Sequence, residues 1–186
     1  ETHVLIVTHS GFTTASGVEV RTADIAQREG RAGAAVLGVA ALSCAGLPTN
    51  DLQVGDRLVA AIRRVVEDVG PDVVLTHWGG DAHHDHRAVA AASLSACRHV
   101  PTVLAYRSNL YPGDGPFPAT VFVDIASVLD VKRRAIEAHV SEHDRSGGAL
   151  LSMAMAKART DGIAGGVDYA EAYAPIRLRW PGPGSL

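Results

Sequence analysis

An α/β fold, with a mainly parallel sheet covered by helices on both faces, follows from three features of the sequence. Short apolar and β-branched runs alternate along the chain with longer stretches whose apolar residues recur at helical spacing. Most of the short runs are apolar throughout rather than at every second residue, the pattern of strands buried on both faces. Gly, Pro, Asn and Asp punctuate the changes between them. The 186 residues suffice for one domain with a substantial core and are short for two. Residues 1–180 are therefore expected to form a single domain, with the Pro/Gly-rich 181–186 as a frayed tail.

Each element has its own signal. Val4-Leu5-Ile6-Val7, closed by Thr8-His9-Ser10-Gly11, reads as a buried strand. From 20 to 37 the period becomes helical, with Ile25, Ala32, Ala35 and Val36 on one face and Gly38 as the stop. A weaker strand follows over 39–42. Leu58, Ile62, Val65, Val66 and Val69 set a helix over Asp56–Val69, which Gly70-Pro71 breaks. Val73-Val74-Leu75 is the clearest buried strand, and a histidine-rich turn leads from it into an Ala-rich helix over 86–97. Val103-Leu104-Ala105-Tyr106 and Val121-Phe122-Val123 read as strands on either side of a Pro/Gly loop. Helices over 127–139 and 146–158 and an extended stretch over 173–178 complete the order.

Composition excludes several functions. Seventeen basic against 20 acidic side chains give a net charge of −3, no footprint for nucleic acid or an anionic membrane surface. Cys44 and Cys97 stand far apart in no ligand spacing and read as buried thiols of a reducing, cytoplasmic protein. No apolar stretch approaches the roughly 20 residues of a membrane span, and no charged-then-apolar leader opens the chain. No G-x-G-x-x-G or P-loop pattern follows any strand, which weakens a redox or nucleotide-binding reading.

The chemistry gathers in His77, Asp81, His83, Asp85 and His86, five residues within ten positions. They follow the best strand and open a helix, where ligands sit in parallel sheets. His83 and His86 are three apart, so a helical turn brings both imidazoles to one side. Imidazole nitrogen and carboxylate oxygen suit zinc and related divalent ions, and a neighbouring carboxylate such as Asp85 can orient a ring. The rival reading is a polar surface loop rich in histidine, and spacing alone does not choose between them. Trp78 reads as a pocket wall, since no basic groove accompanies it. Asp81 reads as a turn-shaping residue or a substrate contact.

These residues resemble the PIG-L/LmbE-like superfamily of zinc-dependent N-deacetylases. Pro71-Asp72-Val73-Val74-Leu75-Thr76-His77 through Asp81-Ala82-His83-His84-Asp85-His86-Arg87 is similar to its "PDVV…H.DH" block. Glu29 with Ala34-Ala35-Val36-Leu37-Gly38, then Leu47-Pro48-Thr49-Asn50-Asp51-Leu52, resemble its "E…AA.vLG" and "lpD..l" landmarks. Val123-Asp124-Ile125, Lys132 and Ala138-His139-Val140-Ser141 are similar to its late "vDI…K…AH.SQ" helix, and Tyr169-Ala170-Glu171-Ala172-Tyr173 to its closing strand.

The resemblance implies a Rossmann-like three-layer sandwich and a hydrolase that removes an N-acyl group, most often acetyl, from an amino sugar or its conjugate. It implies one zinc, with other divalent ions open, held by His86. His83 would act on the reacting carbonyl or the leaving amine, and Asp85 would tune its ring. Its partner would be the small N-acylated substrate, with homo-oligomerisation left open.

Two departures matter. The family's AHPDDE motif, which supplies a zinc-binding His and Asp and the basic Asp, is absent. The order of the landmarks places Thr8-His9-Ser10-Gly11 at the family's second strand, so one strand and one helix are expected before Glu1. Without that motif the alternative is a catalytically inactive, ligand-binding relative. The family's "R..E" pairing has Ala26 in place of Arg, which leaves Arg21 or Arg28 for a substrate contact.

Overall fold

The computed structural model describes residues 1–109 and 111–179; the expected tail at 181–186 lies outside the described residues. In chain order the elements are β1 (His3–Thr8), β2 (Phe12–Thr13), β3 (Glu19–Arg21), α1 (Ala23–Leu37) and β4 (Ala41–Leu47). There follow α2 (Asp56–Val69), β5 (Val73–His77), α3 (His84–Ala96), β6 (Thr102–Tyr106) and β7 (Val121–Asp124). A 3-10 turn (Ala126–Val128), α4 (Leu129–Glu137), α5 (Val140–Arg145), α6 (Ala149–Gly165) and β8 (Ala170–Arg177) complete the fold. It is a mixed α/β fold of two compact units, one of residues 1–53 and 122–171, the other of 54–121 and the chain from 172.

In the first unit β1 and β4 pair in parallel, with Val4 opposite Leu42 and Ile6 opposite Cys44. The helical period expected from residue 20 starts later, at Ala23. Thr22 is the reason: its hydroxyl accepts the Ile25 N–H at 3.2 Å as an N-cap, and Glu19–Arg21 turn back to pair antiparallel with β2. Gly38, at φ 67°, closes α1 as expected.

The buried face of α1 differs from the expected one. Ala32 and Ala35 are exposed, and Ala26, Gly30 and Gly33 are buried. Small residues face inward because α1 packs closely on α4: a Cβ at Gly33 would lie 3.3 Å from the Ala135 carbonyl oxygen and 3.0 Å from His139 Nε2. The two late helices expected from the sequence become three. Gly147 and Gly148, at φ 57° and 79°, separate α5 from α6.

In the second unit α2 has the expected bounds and buries Leu58 and Ile62, and α2 packs on α3. β5 pairs in parallel with β6 along its whole length, from Val73 opposite Thr102 to His77 opposite Tyr106. β6 then pairs antiparallel with β8. The pairing is therefore mixed, with parallel β1–β4 and β5–β6 beside antiparallel β2–β3 and β6–β8. β5 is a strand where expected but is not buried throughout: Val73 and Leu75 are 53% and 50% exposed. Side chains alternate faces along a strand, and the covered face is that of Thr76, whose hydroxyl meets Ser93 of α3 at 2.9 Å. The two thiols part likewise: Cys97 is buried, whereas Cys44 is exposed and leans on the Thr8 carbonyl oxygen at 3.3 Å. No helix among the described residues is long and apolar enough to cross a membrane.

Candidate active site

The strand-to-helix turn of the second unit is built around Asp81. Its side chain is fully buried. Oδ1 accepts the His83 N–H at 2.8 Å and the Asn109 amide at 3.1 Å, and Oδ2 accepts the Ser108 hydroxyl at 3.0 Å. Burial would raise the Asp81 carboxyl, but the bonds from His83, Asn109 and His86 outweigh it and hold the pKa below its ordinary value. Arg87 reaches back from α3 to donate to the carbonyls of Asp81 and Ala82 at 2.7 and 2.8 Å, tying the turn to the helix.

Four imidazoles stack along this turn. His77 and His86 lie 4.0 Å apart ring to ring and nearly parallel, His86 and His83 4.6 Å apart, and His83 and His84 5.2 Å apart. His83 is the N-cap of α3, and its Nδ1 accepts the Asp85 N–H at 3.2 Å. With Nδ1 accepting, a neutral His83 carries its proton on Nε2. Burial first, then the neighbouring His86, hold His83 below its ordinary 6.5, while Asp85 acts in the opposite sense. His86 Nδ1 is 3.0 Å from Ser108 Oγ and 3.3 Å from Asp81 Oδ2, which leaves Nε2 as its other donor atom. His77 meets the Tyr106 hydroxyl through Nε2 at 3.3 Å. Burial, then His86, push its pKa down to about 3, and burial pushes Tyr106 up to about 12.

The turn thus brings together Asp81, His83, Asp85 and His86, four of the residues singled out in the sequence. The buried Asp85 carboxylate lies 3.2 Å from His84 Nε2, while its main-chain N–H meets His83. Trp78 is half-buried against Gly80 and edge-on to Phe117 at 5.5 Å, with the Arg107 guanidinium over the Phe117 ring. A Cβ at Gly113 would fall 2.0 Å from the Gly80 carbonyl oxygen, so only glycine lets this loop close on the turn. Ser108 and Asn109 carried no sequence signal, since they lie 27 and 28 residues from the carboxylate they hold.

Arg21 belongs to the first unit. Its guanidinium donates twice to the Ser10 carbonyl, at 3.1 and 2.8 Å, and pairs with Glu142 at 3.3 Å and Glu29 at 3.9 Å. His9, in the same unit, accepts the Gly11 N–H at 3.1 Å and closes the turn after β1.

The donor set suits a divalent cation. It combines stacked imidazoles with a buried carboxylate behind one of them, the arrangement by which metal-binding histidines are oriented. The Nδ1 of His77 is buried without a hydrogen-bond partner among the described residues. His83, His84 and Asp85 also offer ligand atoms within 4.8 Å of one another.

The class defined here is an α/β fold with a histidine–carboxylate cluster at the end of a strand that could hold a metal ion, and the comparisons narrow it. The family profile PIG-L, described as GlcNAc-PI de-N-acetylase, matches residues 1–97, just over half of the chain and the whole histidine turn. The chain belongs to the PIG-L family. No curated protein matches it.

Among solved structures the conserved protein TT1542 from Thermus thermophilus aligns with TM-score 0.75 and 19% identity, over 99% of this chain and 98% of that one. The N,N'-diacetylchitobiose deacetylase from Pyrococcus horikoshii follows at 0.73 and 18%, over 95% and 73%. GalB, the 4-carboxy-2-hydroxymuconate hydratase from Pseudomonas putida, gives 0.71 and 20%, over 97% and 85%. These likenesses establish a shared fold.

Proposed function

We propose that this chain is a zinc-dependent hydrolase that removes an N-acyl group, in the first instance acetyl, from an amino sugar or its conjugate. One observation carries the reading: His86, backed by the buried Asp81, lies 4.6 Å ring to ring from a His83 whose main-chain bond leaves its proton on Nε2. The family's description and the fold shared with a diacetylchitobiose deacetylase support it. Fold alone does not fix the reaction, as the equally similar hydratase illustrates. The parallel β1–β4 and β5–β6 pairs support a Rossmann-like three-layer arrangement for the domain.

Hydrolysis adds water to the acyl carbon, breaks the C–N bond and delivers a proton to the departing amine. His86 would hold the ion through Nε2, with Asp81 and Ser108 fixing its ring from the other side. Bound there, zinc would supply Lewis-acid polarisation of the acyl carbonyl and a more acidic water. His83 offers its Nε2–H to the oxygen that gains charge, or passes a proton to the amine. Asp85, whose charge favours the protonated form of His83, tunes that transfer. Trp78 forms a wall for the substrate. Asp81, with both oxygens engaged, serves His86 rather than the substrate.

Zinc analysis and amine release from N-acetylglucosamine conjugates test the reading. His86→Ala should lose stoichiometric zinc. His83→Ala should keep its zinc and lose about 10²- to 10⁴-fold in kcat, the usual worth of an acid–base group. Unaltered amine release from the His83 variant would sink the assignment. A protein that binds no zinc and releases no amine would be a ligand-binding relative instead.

A further inference from the structure

We propose that the first unit carries a ligand site of its own, a cavity that takes a small neutral molecule of single-ring size bearing a hydroxyl group. The cavity measures about 200 Å³ and is lined by Ile136 of α4, by His139, Glu142 and His143 at and in α5, and by Leu150 of α6. An apolar cavity of about 150 Å³ is enough to hold benzene, so this one has room for a ring with a substituent.

The walls decide the chemistry. Ile136 and Leu150 offer apolar surface, and His139 and His143 offer flat imidazoles. Glu142 is the one carboxylate of the lining, and its oxygens are already engaged: Oε1 lies 3.3 Å from the Arg21 guanidinium, and Oε2 accepts from Arg145. Burial, helped by Arg21, outweighs Glu29 and Glu142 and holds His139 below its ordinary 6.5, so at neutral pH that ring adds no charge. A charged ligand would give up its hydration here without gaining a free counter-ion, which favours a neutral one.

His143 supplies the polar contact. Its Nδ1 is buried and has no hydrogen-bond partner among the described residues, a state that buried polar atoms rarely keep. The main chain that carries the ring is held on both sides. Its N–H donates to the His139 carbonyl at 2.9 Å, and its carbonyl accepts the Gly148 N–H at 3.0 Å and the Ser146 hydroxyl at 3.1 Å. A hydroxyl can donate to Nδ1 or accept from it, according to the tautomer, and so provides the partner that the described chain does not.

Phenol and benzene are the probes, each titrated into the whole chain by calorimetry, with the ring nitrogens of labelled histidine followed by NMR. Phenol should bind at a single site about fivefold or more tightly than benzene, the worth of one hydrogen bond, and should shift the His143 Nδ1 resonance. His143→Phe keeps a ring, removes both nitrogens and should bring phenol down to the affinity of benzene. Leu150→Trp fills the cavity and should abolish binding of both probes. Ile136→Phe fills it from α4 should the tryptophan chain misfold, as read by circular dichroism. No saturable binding of phenol, equal affinities for phenol and benzene in the unaltered chain, or binding that survives the filling variants overturns the site. None of these readouts passes through the histidine turn, so the site and the hydrolase reading stand or fall separately.

Discussion

Glu29 joins three other side chains of the first unit. Its carboxylate accepts the Ser141 N–H and hydroxyl, both at 2.7 Å, beside Arg21 and His139. Burial would raise its pKa, but the Ser141 bonds and the two cationic neighbours outweigh this and hold it below its ordinary 4.5. A carboxyl depressed in the folded state contributes stability that is present above its unfolded value and is lost as pH falls through the folded one. Urea unfolding on either side of pH 4.5 should therefore show stability falling with acid, and Glu29→Gln should flatten that fall. Ser141→Ala removes the hydroxyl bond to a charged partner and should cost about 2 kcal/mol in the same measurement at neutral pH. The sequence offered Arg21 as a substrate contact. In the structure it bonds to Ser10, Glu29 and Glu142 within this charged cluster.

At the scale of elements, glycines decide where helices end and how closely they lie. Gly162, inside α6, is the sharpest case. A Cβ there would sit 2.6 Å from the Asp168 carbonyl oxygen and 2.8 Å from Tyr169 Cα, and neither backbone atom can turn aside. Alanine is better than glycine in a helix by about 1 kcal/mol, so an unconstrained site would gain from the change. Here overpacking, typically about 1–3 kcal/mol, should win. Thermal and urea unfolding of Gly162→Ala should show net destabilisation, and an unchanged or raised midpoint would contradict the close approach. The same crowding explains the face of α1: the apolar period pointed to Ala32 and Ala35, yet α4 packs over Gly33, where a larger residue would hold it off.

For the whole molecule, metal binding and folding should be linked. A ligand that binds the native chain and not the unfolded one stabilises it by mass action, about 2.7 kcal/mol at a hundred times its Kd. Thermal unfolding with and without zinc should show that rise, and His86→Ala should lose most of it. A midpoint indifferent to zinc would argue against any organised cation site.

Local spacing was enough to place most elements and the cluster itself. Thr22, Gly38 and Gly70 mark helix ends through bonds to residues a turn away, and His83 meets Asp85 and His86 because it caps the turn of α3 that carries them. Residues distant along the chain settled the rest: the antiparallel entry of β8 beside β6, the open face of β5, and the Ser108 and Asn109 bonds that bury Asp81 behind His86. Periodicity reports that a segment has an apolar side, but which neighbour covers it, and which nitrogen of a histidine is left for chemistry, depends on partners that only the folded chain brings within hydrogen-bonding distance.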